Sequence, residues 1–115
     1  MINLDYQSRI PIYQQIVDQI ERYIALGILK PNDRLQPIRE MATTLGINPN
    51  TVKKAYEELE NHGAIITIST KGTFVADNTK NVLEKKINEK LNLIKNEINE
   101  LEKMGISKAE IIPKI

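Results

Sequence analysis

Between Leu45 and Pro49 the chain stops one helix and starts another, and this corner limits its fold more than any other stretch. Upstream, Ile38, Met41, Ala42 and Leu45 recur at i, i+3, i+4 and i+7, the spacing of one helical face. Gly46 follows, the residue that ends a helix most readily in the left-handed conformation. Asn48 is a good N-cap, because its side-chain oxygen can accept from the free N–H groups of a first turn. Pro49 then occupies the first helical position, where a missing N–H costs nothing. Val52, Ala55, Tyr56 and Leu59 repeat the same apolar spacing. Two amphipathic helices joined through Gly46-Ile47-Asn48 make a helix-turn-helix, whose second helix enters the major groove of DNA in many proteins.

The flanks complete this unit. After His62-Gly63, the run Ala64 to Ser69 is rich in β-branched residues and reads as a strand. Thr70-Lys71-Gly72 makes a turn, and Thr73 to Ala76 returns as the second strand. Upstream, Pro11 opens a helix to about Leu26, with Tyr13, Ile16, Val17, Ile20 and Ile24 as its buried stripe and Gly27 as its stop. Leu29 to Asp33 is a turn, and Arg34-Leu35 can add a short strand beside the hairpin. Met1 to Ile10 is an entry segment in which Ile2 and Leu4 pack loosely. Phe74 belongs to the core. The fold class is α+β, a winged helix-turn-helix.

The outer face of the second helix carries Asn50, Lys53, Lys54 and Glu57, with Thr51 at its margin. Asn, Thr and Lys at a helix start are types that contact base edges and phosphates. An ordinary capped surface helix with solvated lysines would carry the same residues.

At this point the chain resembles the N-terminal domain of the GntR family of bacterial transcription regulators. The matching stretches are PIYQQIVDQIERYIALGILKPNDRL, IREMATTLGINPNTVKKAYEELENHG and KGTFV, together about Pro11 to Val75. The NPNTV wording and the short C-terminal remainder resemble the YtrA-type subfamily, whose members carry a small helical dimerisation segment. The resemblance implies that Arg39, which precedes Glu40 as in the family's Arg-Glu pair, contacts an operator; a surface ion pair is the alternative. Many members have an arginine where this chain has Pro49, so base reading leans here on Asn48, Asn50 and Thr51. Lys53 and Lys54 are cast as phosphate contacts, since lysine is a flexible point charge. The wing pattern of the family is Gly-x-Gly-Thr-Phe-Val. Here Thr70 stands in place of the first glycine, and Lys71 and Gly72 are the wing candidates for the backbone or minor groove. A solvated hairpin lysine is the other reading of Lys71.

Charge sharpens these expectations. The chain of 115 residues carries a net charge of +1. Residues 1–77 hold eight Lys/Arg and nine Asp/Glu, net −1; residues 78–115 hold eight and six, net +2. A DNA reader with that balance must cluster its cations on one face rather than rely on general attraction for a polyanion.

Asp77-Asn78-Thr79 reads as linker and cap, and a long helix follows from about Lys80 to Met104. Leu83, Ile87, Leu91, Ile94, Ile98 and Leu101 are spaced 4, 4, 3, 4, 3, the last five as a short a/d seam with Lys and Glu around it. Ser107 to Glu110 has a capping-box pattern opening a short helix that Pro113 ends. A hairpin this small must pack on the winged helix or on another subunit. We therefore divide the chain into a winged helix at 1–77 and a helical dimerisation segment at 78–115.

Little supports chemistry. There is no cysteine, and His62, the single histidine, stands where a helix cap is expected. No Ser/His/Asp set or phosphate-binding glycine loop appears. No cofactor or metal is expected, nor any membrane span, and a cytoplasmic location is the default. The expected function is a homodimeric, sequence-specific transcription regulator, a repressor, on an inverted-repeat operator; whether it senses a small molecule is open. The alternative is a winged-helix module for protein contacts without operator reading.

Overall fold

Helix stops, caps and apolar stripes lay out the element order. In a computed structural model, which describes residues 1–77 and 79–115 and the side chains of all of these except 79–82, each expected element is present. They are α1 (Ile12–Ala25), β1 (Arg34–Leu35), α2 (Ile38–Leu45), α3 (Pro49–Asn61), β2 (Ile65–Ile68), β3 (Gly72–Val75), α4 (Thr79–Lys103) and α5 (Lys108–Ile111), closed by a 3-10 turn (Ile112–Lys114). Two compact units are distinguishable, Met1–Val82 and Leu83–Ile115.

In the first unit α3 packs on both α1 and α2 and also meets β2. Its stripe of Val52, Ala55, Tyr56 and Leu59 is buried against Ile16, Val17 and Ile20 of α1 and Met41 and Ala42 of α2. Ile16, Val52, Ala55 and Leu59 have no exposed surface at all. Each fully buried aliphatic side chain contributes roughly 1.5–3 kcal/mol of transfer free energy. The sheet is antiparallel in the order β1-β3-β2, with Arg34 opposite Phe74, and Ile65 opposite Val75. Leu35, Ile65 and Val75 face the helices.

Two expectations are corrected. Phe74 is half-buried rather than core, because the alternation that buries Val75 turns its neighbour to the outer sheet face beside the exposed Ile66. Tyr13 is half-buried as well.

The entry segment is held far more firmly than expected. Asp5 N–H donates to Gln15 Oε1 at 2.8 Å, and Gln15 Nε2 donates to the Asp5 and Ile10 carbonyls at 2.9 Å each. Gln19 does the same one turn later: Asn3 N–H donates to its Oε1 at 2.9 Å, and its Nε2 donates to the Asn3 carbonyl at 2.6 Å. Tyr23 OH donates to the Met1 carbonyl. Gln15, Gln19 and Tyr23 stand at i, i+4 and i+8, one row along α1. The segment thus runs antiparallel to α1 as a strap, with Ile2 and Leu4 half-buried beneath it.

In the second unit α4 runs to Lys103, and α5 follows after the turn at Gly105. Ile111 is buried. Ser107 is the N-cap residue, but its hydroxyl donates to Glu110 Oε1 at 3.3 Å and makes no side-chain bond to the backbone, so the two side chains bond to each other in place of a capping box. The α-helix ends at Ile111, ahead of Pro113, as proline chemistry requires. Along the seam Ile87, Leu91 and Ile94 are 54%, 48% and 50% exposed, while Leu83, Ile98 and Leu101 are half-buried. The linker and cap expected at Asp77 to Thr79 depend on Asn78, which lies outside the described residues. Among the described residues no helix is long and apolar enough to cross a membrane.

Candidate nucleic-acid interface

The corner between α2 and α3 forms as its residue types dictate. Gly46 adopts φ +68°, ending α2 in the left-handed conformation, and Ile47 N–H closes the end on the Ala42 carbonyl at 3.0 Å. Asn48 caps α3: its Oδ1 accepts from Asn50 N–H at 2.8 Å. That bond fixes the amide of Asn48. Its oxygen is committed to the cap, and its Nδ2 remains the part able to donate outward.

The first turn of α3 is open. Pro49 and Asn50 are exposed, and Thr51 is half-buried at the margin. The side chain of Asn50 enters no hydrogen bond among the described residues. The two lysines differ. Lys53 Nζ is 4.0 Å from Glu57 Oε1, an exposed i, i+4 pair of little strength that a phosphate can replace. Lys54 Nζ lies 3.9 Å from the centre of the Tyr13 ring, which draws it toward α1 as a cation–π contact. Arg39 is exposed on α2 and makes no ion pair among the described residues.

Two contacts hold α3 in place behind this surface. Tyr56 OH donates to the Gln36 carbonyl at 2.6 Å, tying the middle of α3 to the chain two residues before α2. Burial first, and the nearby Glu40 carboxylate second, push the Tyr56 hydroxyl up to about 12. At the far end His62, the residue that closes α3, donates from Nδ1 to Glu21 Oε1 of α1 at 2.6 Å.

The wing carries a second departure from the family pattern. Lys71 N–H donates to the Ile68 carbonyl at 3.0 Å, closing a tight turn, and Lys71 is exposed at its tip. Thr70 takes φ +70° in that turn. A β-branched residue in this region is strained by about 1–2 kcal/mol, and this is the position where the family pattern has its first glycine. Gly72 has φ +121°.

The structure therefore brings Asn48, Asn50, Thr51 and Lys53 together at the start of α3, with Arg39 on the adjoining helix and Lys71 and Gly72 on the hairpin of the same unit. Lys54 lies to one side, over Tyr13. Sequence reading missed the strap and its glutamines, although their four-residue spacing was visible.

Comparison with known proteins agrees with this architecture. Residues 12–75 match the model of the bacterial regulatory proteins of the gntR family. The HTH-type transcriptional repressor YtrA of Bacillus subtilis (strain 168) is 43% identical over 101 residues, which cover 88% of this chain and 75% of that protein. The crystal structure of a transcriptional regulator from Oenococcus oeni superposes with a TM-score of 0.74 at 39% identity, covering 98% of this chain and 94% of that one. The DBD of AraR, solved in complex with operator ORR3, superposes with a TM-score of 0.56 at 27% identity, over 64% of this chain and 89% of that one.

Proposed function

This chain belongs to the GntR family of bacterial regulatory proteins, in its YtrA-type branch, and from that premise we propose how it regulates. It is a DNA-binding transcription regulator. We read it as a repressor that binds an inverted-repeat operator as a homodimer. Residues 1–77 are the reading unit and 78–115 the segment that joins two copies.

The open first turn of α3 carries this reading. Asn48, Asn50 and Thr51 supply donors and acceptors at the end of a helix that the fold leaves uncovered. Adenine offers a paired acceptor and donor in the major groove that an asparagine amide matches. Arg39, Lys53 and Lys71 lie at the edges of that surface and take phosphates. Lys54 joins them only by leaving the ring of Tyr13.

Dimerisation is supported by the seam. A surface of Ile87, Leu91 and Ile94 about half exposed in a single chain favours a covering partner. One winged helix reads only a few base pairs, and a unit of net charge −1 has little general attraction for DNA. Two linked units gain affinity because the second binds at high effective concentration. Two-fold symmetry then requires half-sites whose centres are about one helical turn, or a multiple, apart.

Selection of bound sequences from a random duplex pool by the full chain tests the proposal. The expected product is an inverted repeat bound by two chains. A pool that shows no enrichment, or a single half-site bound as tightly as the full repeat, would sink it.

A further inference from the structure

Arg34 lies outside the interface described above, yet it touches two of its elements. In β1 Leu35 is buried and Arg34 exposed, so strand alternation turns Arg34 to the outer face of the sheet. Its cross-strand partner is Phe74. The side chain reaches diagonally from there to the wing: a β-carbon on Gly72 would lie 3.1 Å from Arg34 Nε and 3.4 Å from Nη2. The guanidinium therefore occupies the space that any other residue at 72 would fill, next to Lys71 at the tip. On its other side Arg34 lines a shallow cleft with Leu35, Gln36, Pro37 and Glu40, at the start of the helix that carries Arg39. Arg34 thus spans the gap between the base of the wing and the first turn of α2.

Its charge is uncommitted among the described residues. Among the described residues Arg34 forms no ion pair, although Glu40 lines the same cleft. In a unit with more carboxylates than cations, an exposed arginine left without a carboxylate is available to an external anion. Guanidinium is the cation best shaped for phosphate, which it binds through two parallel N–H···O bonds.

We propose that Arg34 is a DNA-contacting residue, which takes a backbone phosphate between the groove entered by α3 and the one reached by the wing. Gly72 serves it by carrying no side chain. This rests on the placement of DNA against α2, α3 and the wing given above, and the test separates the two.

Titrations of the full chain with its selected operator and with random duplex, over a series of salt concentrations, are run for Arg34→Gln, Arg34→Lys and Arg39→Ala, with thermal melting alongside. Arg34→Gln should weaken both duplexes by the same factor and lower the salt slope by about one unit, with melting unchanged. Arg34→Lys should keep the slope while binding more weakly than the parent, since a point charge replaces the fork. An unchanged affinity and slope for Arg34→Gln, with binding lost in Arg39→Ala, overturns the role of Arg34 alone. So does a loss confined to the operator, or a fall in melting temperature without a change in slope. Unchanged binding in both variants removes the whole placement of DNA, and this proposal with it.

Discussion

The isoleucines of α1 and α4 are laid out by the same rule and meet opposite ends. Ile16 and Ile20 of α1 are 0% and 1% exposed, whereas Ile87 and Ile94 of α4 are 54% and 50% exposed. Both helices carry apolar residues at three- and four-residue steps with polar residues between. The first stripe finds α3 within its own chain. The second is left open in a single copy at Ile87, Leu91 and Ile94. Periodicity therefore states that a face is made for burial, and does not state what buries it. If the proposed dimer covers the second stripe, the difference separates two kinds of stability: one fixed within the chain, and one that depends on protein concentration.

The strongest way to break the comparison is to cut into the closed core. Leu59→Ala removes a side chain with no exposed surface, and it should cost about 2–5 kcal/mol in denaturant melts. That cost should not change with protein concentration. A loss that vanished on raising concentration would show that the reading unit borrows its stability from a partner.

Tyr56 offers a second handle on the closed unit. Its folded-state pKa is raised to about 12 from the ordinary 10.0, so the neutral form is favoured by folding. Its contribution is then fully present below about pH 10 and is lost as pH rises from there through about 12. The whole effect is on the order of 3 kcal/mol. Unfolding titrations at pH 9 to 12 should show this fall, and Tyr56→Phe should flatten it relative to the parent. Equal slopes in the two proteins would show that the hydroxyl ionises as freely folded as unfolded.

Exposed residues of the two regions should also behave differently. Asn50→Ala should cost about 1–3 kcal/mol on the selected operator and little on random duplex, with the oligomeric state intact. Equal losses on both duplexes would remove Asn50 from base reading. Ile94→Asp should instead yield a monomer, because it would bury an unpaired charge in the seam. It should lower operator affinity at least tenfold, about 1.4 kcal/mol, while the core melts as before. Sedimentation decides this, and a dimeric Ile94→Asp protein would return the seam to an intramolecular role.

The smallest expected effect lies on the wing. Thr70→Gly should stabilise the reading unit by about 1 kcal/mol, since glycine adopts φ +70° without a β-carbon clash. Thermal melts check it. A destabilised variant would mean that the threonine side chain holds the turn by contacts worth more than its strain.

Most of the reading unit was legible because its signals are local. Gly46, Asn48 and Pro49 specify a corner by backbone chemistry alone, and four apolar residues on each side specify what the corner packs against. Phe74 was misplaced because strand alternation decides only relative sides. Which side faces the helices depends on the register with Ile65 and Ile66, set by the hairpin turn. Lys54 looked equivalent to Lys53 in the sequence. Only the position of Tyr13 in α1, 41 residues earlier, distinguishes them. The strap was missed for a different reason: its partners are backbone groups, which every sequence carries and no sequence announces.

That same property has a consequence for how the chain can vary. Gln15 and Gln19 bind N–H and C=O groups of Asn3, Asp5 and Ile10, and Tyr23 binds the carbonyl of Met1. None of these contacts consults a side chain of the strap. Drift in the residues at 1, 3 and 5 therefore leaves the docking intact, provided no proline removes an N–H at 3 or 5. Mutational tolerance is thus unevenly divided across one contact, wide at positions 1, 3 and 5 of the strap and narrow on the two glutamines. Among homologous chains that keep this strap, variation should gather at positions 1, 3 and 5 and spare the positions of Gln15 and Gln19.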